Sequence, residues 1–486
     1  MINIKSPIRI FLVFAILFPV YSQETFEEFR KKQQQAQQQA FEDELSEFQN
    51  YVAEVTSQYD AYEQQQAREF EAFKKEVEEK WQDFKAPSKK EYVEYDDNLD
   101  SRASVDFEKG EITIEVIVEE EIPTPDPEPI KKVEKTVPKQ KTKQAPIPQV
   151  TQEKKKVTEP KSLKSIVENT VPNPRKKQPS KLQEVAQKKK KVNEQKSLKS
   201  IIEKTETPVS QKEKPQQRSS AVKKEISDQK LQRKLADILK AKGDDGKPML
   251  NKQVVDKKGK TVTPATAKAY ASELVANAPV ATKTYKAKDG KKRTVYTVKI
   301  PMKSDHINTR ADRYKQEVLK QSKRFNIDPI IAFAVMETES AFNPKAKSHI
   351  PAYGLMQLVP KSGARDAYLY VYKKDKFLDR DYLYKPGNNI ELGCAYLAKI
   401  RHQYFKSIKD DERAYICTVP AYNTGIGNVA KALVNKPKLK PAAQKANSMS
   451  PDQLYKKLMK DLKYKEARDY LERVWTRKDK YTSLLK

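Results

Sequence analysis

Three short stretches decide how this chain is read: Glu339-Ser340-Ala341-Phe342-Asn343-Pro344, then Gly354-Leu355-Met356-Gln357, then Ala421-Tyr422-Asn423. Upstream of the first, Asp328-Pro329 opens a helix whose body, Ile330 to Met336, is apolar throughout. Asn343-Pro344 stops that helix abruptly. Glu339 is therefore expected at a helix C-terminal end, half inside an apolar core and half facing a cleft. Such burial penalises the charged form and keeps a Glu protonated near neutral pH. A protonated carboxyl beside a groove is the main requirement for cleaving a glycosidic bond. The plain alternative for a lone Glu is a solvated helix-surface acid. Glu337 offers a second carboxylate, but two positions apart on a helix means nearly opposite faces.

The whole chain bounds what surrounds this stretch. Its 486 residues suit two or three domains. Only 37% are hydrophobic, 34% are charged, and the mean hydropathy is −0.86. Much of the chain cannot bury enough apolar surface to form one large core. A formal charge of +29 favours an anionic partner. At the N-terminus Lys5 and Arg9 precede the apolar run Ile10–Phe18, followed by Pro19, Tyr21 and Ser22. This reads as a secretory signal over residues 1–22, too short for a comfortable membrane span; an uncleaved anchor is the alternative. Either way the bulk of the chain is expected outside the cytoplasm, in the periplasm or cell envelope. No Cys follows the run, so no lipoprotein anchor is evident. The basic charge then points to an envelope polymer or membrane surface, and no nucleic acid partner is expected. Cys394 and Cys417 are either a disulfide between neighbouring helices or two small buried hydrophobes. His306, His349 and His402 are scattered and there is no CxxC, so neither metal nor cofactor is expected.

Composition divides the chain. From Glu24 to Phe84 there is no Pro or Gly, and Phe48, Tyr51, Val55, Tyr59, Tyr62, Phe70, Phe73, Val77, Trp81 and Phe84 recur at helical steps. Residues 23–64 read as a coiled-coil-like helical arm, either folded back on its own domain or used for oligomerisation. Ser101–Phe107 and Glu111–Val118 alternate around Glu108-Lys109-Gly110, a β-hairpin. Residues 119–229, rich in Lys, Pro and Gln, read as a disordered basic linker. Within it Lys161–Glu168 returns almost unchanged as Lys196–Glu203, as a docking helix or a duplicated spacer. Val280–Ala287 and Thr294–Ile300 flank Lys288-Asp289-Gly290 as a second hairpin. The two hairpin regions, 65–118 and 230–303, form one α+β domain split by the linker, and 304–486 is mainly helical. The fold class expected is therefore α+β multidomain, with a mainly α-helical C-terminal domain.

That C-terminal domain resembles the lytic transglycosylase catalytic domain, related to goose-type lysozyme, and looks most like the membrane-bound lytic murein transglycosylase C type. The resemblance rests on Glu339-Ser340 with Phe342-Asn343-Pro344, on Gly354–Gln357, on Ala421-Tyr422-Asn423, and on Glu466–Leu471, in that order. The region before it looks like that type's N-terminal domain, which lacks the linker. The resemblance implies a lysozyme-like fold and peptidoglycan as substrate. It makes Glu339 the sole catalytic acid/base, and Ser348, Met356, Gln357, Tyr422, Asn423 and Tyr470 substrate-contacting. Met356, read by itself, is as readily a core residue. Position 337 is Glu where the type usually carries Gln, and Thr424 stands where Ala or Gly is commoner.

Two other readings stay open. A lysozyme-type hydrolase on the same fold needs a carboxylate to activate water, for which Asp366 and Glu391 are available. A non-catalytic wall-binding protein would use the basic linker and the arm. The Lys-rich runs, such as Lys188–Lys191, imply electrostatic tethering to anionic wall polymer. Binding of the protein to isolated sacculi is expected to weaken steeply between low and high salt; retention independent of salt in a pull-down would contradict the tether.

Overall fold

The computed structural model describes residues 26–120 and 215–485. The export signal, the Lys161–Glu168 repeat and its copy, and the Lys188–Lys191 run lie outside them. Two compact units divide the chain. Of the described residues, one takes those up to Phe73 with Gln316–Thr338 and those from Lys347 on; the other takes those within Lys74–Lys315 and Glu339–Ala346.

The second unit is built on a five-stranded antiparallel sheet: β1 (Glu91–Tyr95), β2 (Ser101–Asp106), β3 (Glu111–Glu119), β4 (Ala281–Lys286) and β5 (Lys292–Pro301), in the order β1-β2-β3-β5-β4. Both expected hairpins form. In the first, Asp106 Oδ1 accepts from the Glu108 and Lys109 amides at 3.0 and 2.8 Å. Gly110 closes that turn at φ +72°, where any Cβ would stand 2.6 Å from the His306 ring. β3 pairs with β5 from Glu111↔Pro301 to Glu119↔Arg293, so the two hairpins share one sheet although more than a hundred residues separate them in sequence. The period-two pattern of β3 sends Ile112, Ile114 and Val116 to one face, where they pack with Leu231, Leu235 and Ile238. Ile117 faces the opposite side with Val77, Trp81 and Tyr285. On that side buried Arg102 donates to Glu115 at 2.8 Å and stacks 4.3 Å over Trp81.

Two sequence readings change here. α1 (Phe26–Lys80) is one unbroken helix, so the arm ending at 64 has no structural boundary there. α2 (Pro215–Lys240) begins inside the stretch expected to be linker up to 229. Its polar first half hides in Lys/Gln composition, yet Ile226 packs on Val118, and Lys223 and Lys230 pair with Glu120 and Asp100 at 2.7 and 2.5 Å. α3 (Ala267–Asn277) completes the helical layer. Strand β1 was not visible in the sequence.

The first unit is helical. Its part of α1 lies back on the unit itself: the Tyr59 ring lies tilted 4.5 Å from that of Phe377, its hydroxyl accepts from the Leu378 amide at 3.0 Å, and Lys361 pairs with Asp60 and Glu63 at 2.6 and 2.7 Å. Its part of α4 (His306–Phe325), from Gln316 on, leads to α5 (Pro329–Ser340), whose last two residues belong to the other unit. Asp328 caps α5 by accepting from the Ile330 amide at 2.8 Å, with Pro329 as its first residue. Then come α6 (Arg365–Tyr372), α7 (Arg380–Leu383), α8 (Pro386–Lys399), α9 (Asp411–Thr424), α10 (Ile426–Val434), α11 (Leu439–Asn447), α12 (Pro451–Asp461) and α13 (Lys465–Leu485). Among the described residues no helix is long and apolar enough to cross a membrane.

Cys394 on α8 and Cys417 on α9 are both free and buried. Of the two readings, two separately buried small side chains are what is observed, and the disulfide is not formed. Burial pushes both thiols up to about 12. At pH 8 almost no thiolate is then present, so an aromatic disulfide reagent should leave both thiols unmodified in the native protein and titrate two per chain in urea. Rapid native labelling would contradict this environment.

Candidate active site

Glu339 occupies the last turn of α5. The helix ends not at Asn343-Pro344 but earlier, because Ala341 and Phe342 both adopt left-handed backbone, at φ 48° and 60°. Two successive non-glycine residues there cost on the order of 1–3 kcal/mol each, and both side chains are buried. The turn is held from several sides. Asn343 N donates to Ser340 O at 3.0 Å, and Asn343 Oδ1 accepts from the Lys345 amide at 3.0 Å. Arg310, itself buried, donates Nε to Ala341 O at 2.9 Å, Nη1 to Gln253 Oε1 at 2.6 Å, and Nη2 to Phe107 O. Lys345 pairs with Asp244 at 2.6 Å. Glu339 is 4% exposed, and Lys89 Nζ lies 3.5 Å from its Oε2. Burial opposes ionisation of such a carboxyl and a nearby ammonium favours it, so Glu339 sits under two opposed influences.

The Gly354–Gln357 block is a tight loop in the helical unit. Gly354 has φ +77°, and a Cβ on it would meet Asn389 Nδ2 at 2.4 Å and Leu383 O at 2.5 Å; only glycine fits. Asn389, fully buried on α8, donates to Tyr353 O and Leu383 O at 2.8 Å each and accepts from the Met356 amide at 2.7 Å. Tyr422, on α9, donates its hydroxyl to Met356 O at 2.8 Å and packs 5.2 Å from the Tyr396 ring. The second and third quoted stretches thus meet. Gln357 is left-handed at φ 48° and turns its amide onto Gly354 O at 3.0 Å. Met356 is enclosed: its side chain is 0% exposed and fills the space beside Gly393, where a Cβ would come within 2.2 Å of the sulfur. Its side chain behaves as core, so only its backbone is free to shape the loop's surface.

The other expected residues are placed as follows. Ser348 closes a turn, donating to Ile350 O and accepting from the Ala352 amide at 3.1 Å. Asn423 is half-buried at the end of α9, and Tyr470 is buried on α13. Glu337 is tied to α13, accepting from the Tyr481 hydroxyl and pairing with Lys480 at 3.2 Å and Arg477 at 3.3 Å. Of the hydrolase candidates, Asp366 pairs with Lys399 at 3.3 Å, while Glu391 pairs with Arg324 at 2.6 Å and accepts from Tyr372 at 2.8 Å. Sequence reasoning missed Lys89, Arg310, Asn389 and Gly393. Asn389, three positions before Leu392 and so on the buried side of α8, was the one with a visible signal.

Comparison with known proteins finds likenesses in two parts of the chain. Residues 316–445 match the Transglycosylase SLT domain family. Residues 60–129 and 234–313 match the N-terminal domain of membrane-bound lytic murein transglycosylase C, with the Lys/Pro-rich segment between the two pieces. The chain is 36% identical over 241 residues to membrane-bound lytic murein transglycosylase C of Glaesserella parasuis serovar 5, covering 49% of this chain and 63% of that protein. The same-named protein of Haemophilus ducreyi is 37% identical over 239 residues, again covering 49% and 63%. The chain thus spans 63% of the length of these curated relatives. Among solved structures, the 70 kDa soluble lytic transglycosylase of Escherichia coli is similar at 22% identity and a TM-score of 0.27, over 35% of this chain and 24% of that one.

Because Asn389 satisfies three otherwise buried backbone groups, Asn389→Ala should lower stability by about 3 kcal/mol, read as urea unfolding of the purified protein. Asn423→Ala, at a half-buried helix end, should change it by less than about 0.5 kcal/mol. Equal losses would contradict the role given to Asn389.

Proposed function

We propose that this protein is a peptidoglycan lytic transglycosylase that cleaves the β-1,4 bond between N-acetylmuramic acid and N-acetylglucosamine and leaves a 1,6-anhydromuramoyl end. The observation that carries the reading is Glu339: a nearly buried carboxyl at the end of an apolar helix, inside the segment that matches the transglycosylase family. The names of the curated relatives support it.

In this reading Glu339, protonated, donates to the glycosidic oxygen as the C1–O bond breaks. The acetamido oxygen of the muramoyl residue, rather than a second carboxylate, stabilises the oxocarbenium-like centre. The ionised Glu339 then takes the proton of the C6 hydroxyl, O6 bonds to C1, and the carboxyl returns to its starting form. No water enters the product. Tyr422 and Asn423 supply hydrogen bonds to the acetamido group and the developing charge. Ser348, Gln357 and Tyr470 contact the glycan, and Met356 contributes through the loop it anchors. The relatives' names include "membrane-bound", which together with the N-terminal apolar run supports action in the cell envelope. The basic segment serves as a tether to anionic polymer or membrane surface.

A lysozyme-type hydrolase is disfavoured because the two carboxylates it would use are already engaged, Asp366 with Lys399 and Glu391 with Arg324. Purified sacculi digested with the wild type should release muropeptides lighter by one water than hydrolytic products, read by mass spectrometry. Glu339→Gln should lose at least about 100-fold in rate. Undiminished release by that variant would overturn the reading.

A further inference from the structure

The strap between α1 and β1 carries a residue that touches both ends of the turn holding Glu339. Lys89 Nζ lies 3.5 Å from Glu339 Oε2, and the Lys89 carbonyl accepts from Asn343 Nδ2 at 3.4 Å. These residues belong to one compact unit, although Lys89 and Glu339 are 250 positions apart in sequence. The strap is itself fixed. Ser88 N donates to Glu91 O at 2.8 Å, Ser88 Oγ accepts from the Glu91 amide at 3.0 Å, and Lys90 O accepts from Phe107 N at 2.9 Å. Lys89 is therefore presented by the sheet edge rather than by a free loop. Its side chain is 37% exposed against 5% for that of Glu339, so the ammonium reaches in from the solvent side.

We propose that Lys89 is a positioning residue for the Glu339 carboxyl, contributed by the sheet-bearing part of the chain, and that it sets the pH range over which Glu339 works as an acid. The inference rests on the proposed function for its catalytic meaning. A carboxyl used first as acid and then as base has to be stable in both protonation states. Burial alone favours the neutral state, and an ammonium at this distance offsets it. The other charged groups about the turn have partners of their own. Arg310 holds Ala341 O, Phe107 O and Gln253, with His306 Nδ1 3.1 Å from its Nη1. Lys345 is paired with Asp244. On α5 itself Glu337 is tied to Lys480 and Arg477. The Lys89 strap also holds the turn through its carbonyl, which a side-chain substitution leaves in place.

The test uses the full chain with Lys89→Arg, Lys89→Gln and Lys89→Met. Removing the charge should raise the alkaline limb of kcat/KM on soluble glycan strands by about one pH unit, from the Coulomb term at this distance even under full solvent screening. Lys89→Arg should restore the wild-type limb, because the effect follows charge and not size. A second readout is independent of activity: carbon-13 NMR titration of labelled glutamates, with Glu339 assigned by the resonance lost in Glu339→Gln. Its midpoint should rise in the Gln and Met variants and not in the Arg variant. Coincident titrations in wild type and Lys89→Gln would overturn the proposal, as would a shifted titration in an active protein whose pH–rate limb stays in place. A shifted titration in a protein that releases no anhydro-ended products would keep the pairing and overturn the functional reading instead.

Discussion

The left-handed pair Ala341-Phe342 is the constraint on which the candidate site depends. An apolar helix that simply continued would carry Glu339 along its side, one residue among many. Two positive φ angles in succession end the helix one residue after the carboxyl and turn the backbone sharply away. Neither residue is glycine, so the conformation is unfavourable by itself and persists only because its surroundings over-determine it. Those surroundings are specific: the buried Arg310 guanidinium on Ala341 O, the Asn343 turn, and the enclosed Phe342 ring.

Arg310 and Lys89 give the five-stranded sheet a meaning beyond folding. Arg310 joins the carbonyl of Phe107, just past β2, to that of Ala341. Lys89 leaves the edge of β1 and reaches Glu339 and Asn343. The end of the sheet that carries the first hairpin is thus the end that grips the acidic turn. A second constraint acts in the helical unit, where Asn389, Gly354 and Tyr422 fix the loop around Met356 through buried hydrogen bonds and a glycine with no room for a side chain. Each device keeps a short irregular stretch in one conformation, as a site that positions a sugar requires.

How much of this was legible follows from the physics of each element. The two hairpins could be read because alternation and a Gly-containing turn are local signals. α5 could be read because Asp-Pro and an unbroken apolar run are local too. β1, Glu91-Tyr92-Val93-Glu94-Tyr95, was not: it is a half-buried edge strand with charged residues on it. The start of α2 was missed because its polar residues are held by ion pairs to the sheet, which composition cannot reveal. Glu339, Gly354 and Tyr422 were found through blocks of residues, and the structure brings the last two together. Met356 shows the limit of such matching, since its side chain is core. Lys89 was invisible: one of 96 basic residues, it acquires meaning only when the sheet carries it to a position 250 residues later.

The central claim is that a single carboxyl both starts the cleavage and closes the anhydro ring, so the sugar's own hydroxyl and not water completes the reaction. Digestion of sacculi in water enriched in oxygen-18 tests this most directly. The account predicts muramoyl ends that carry no label. Label at C1 of those ends would contradict it.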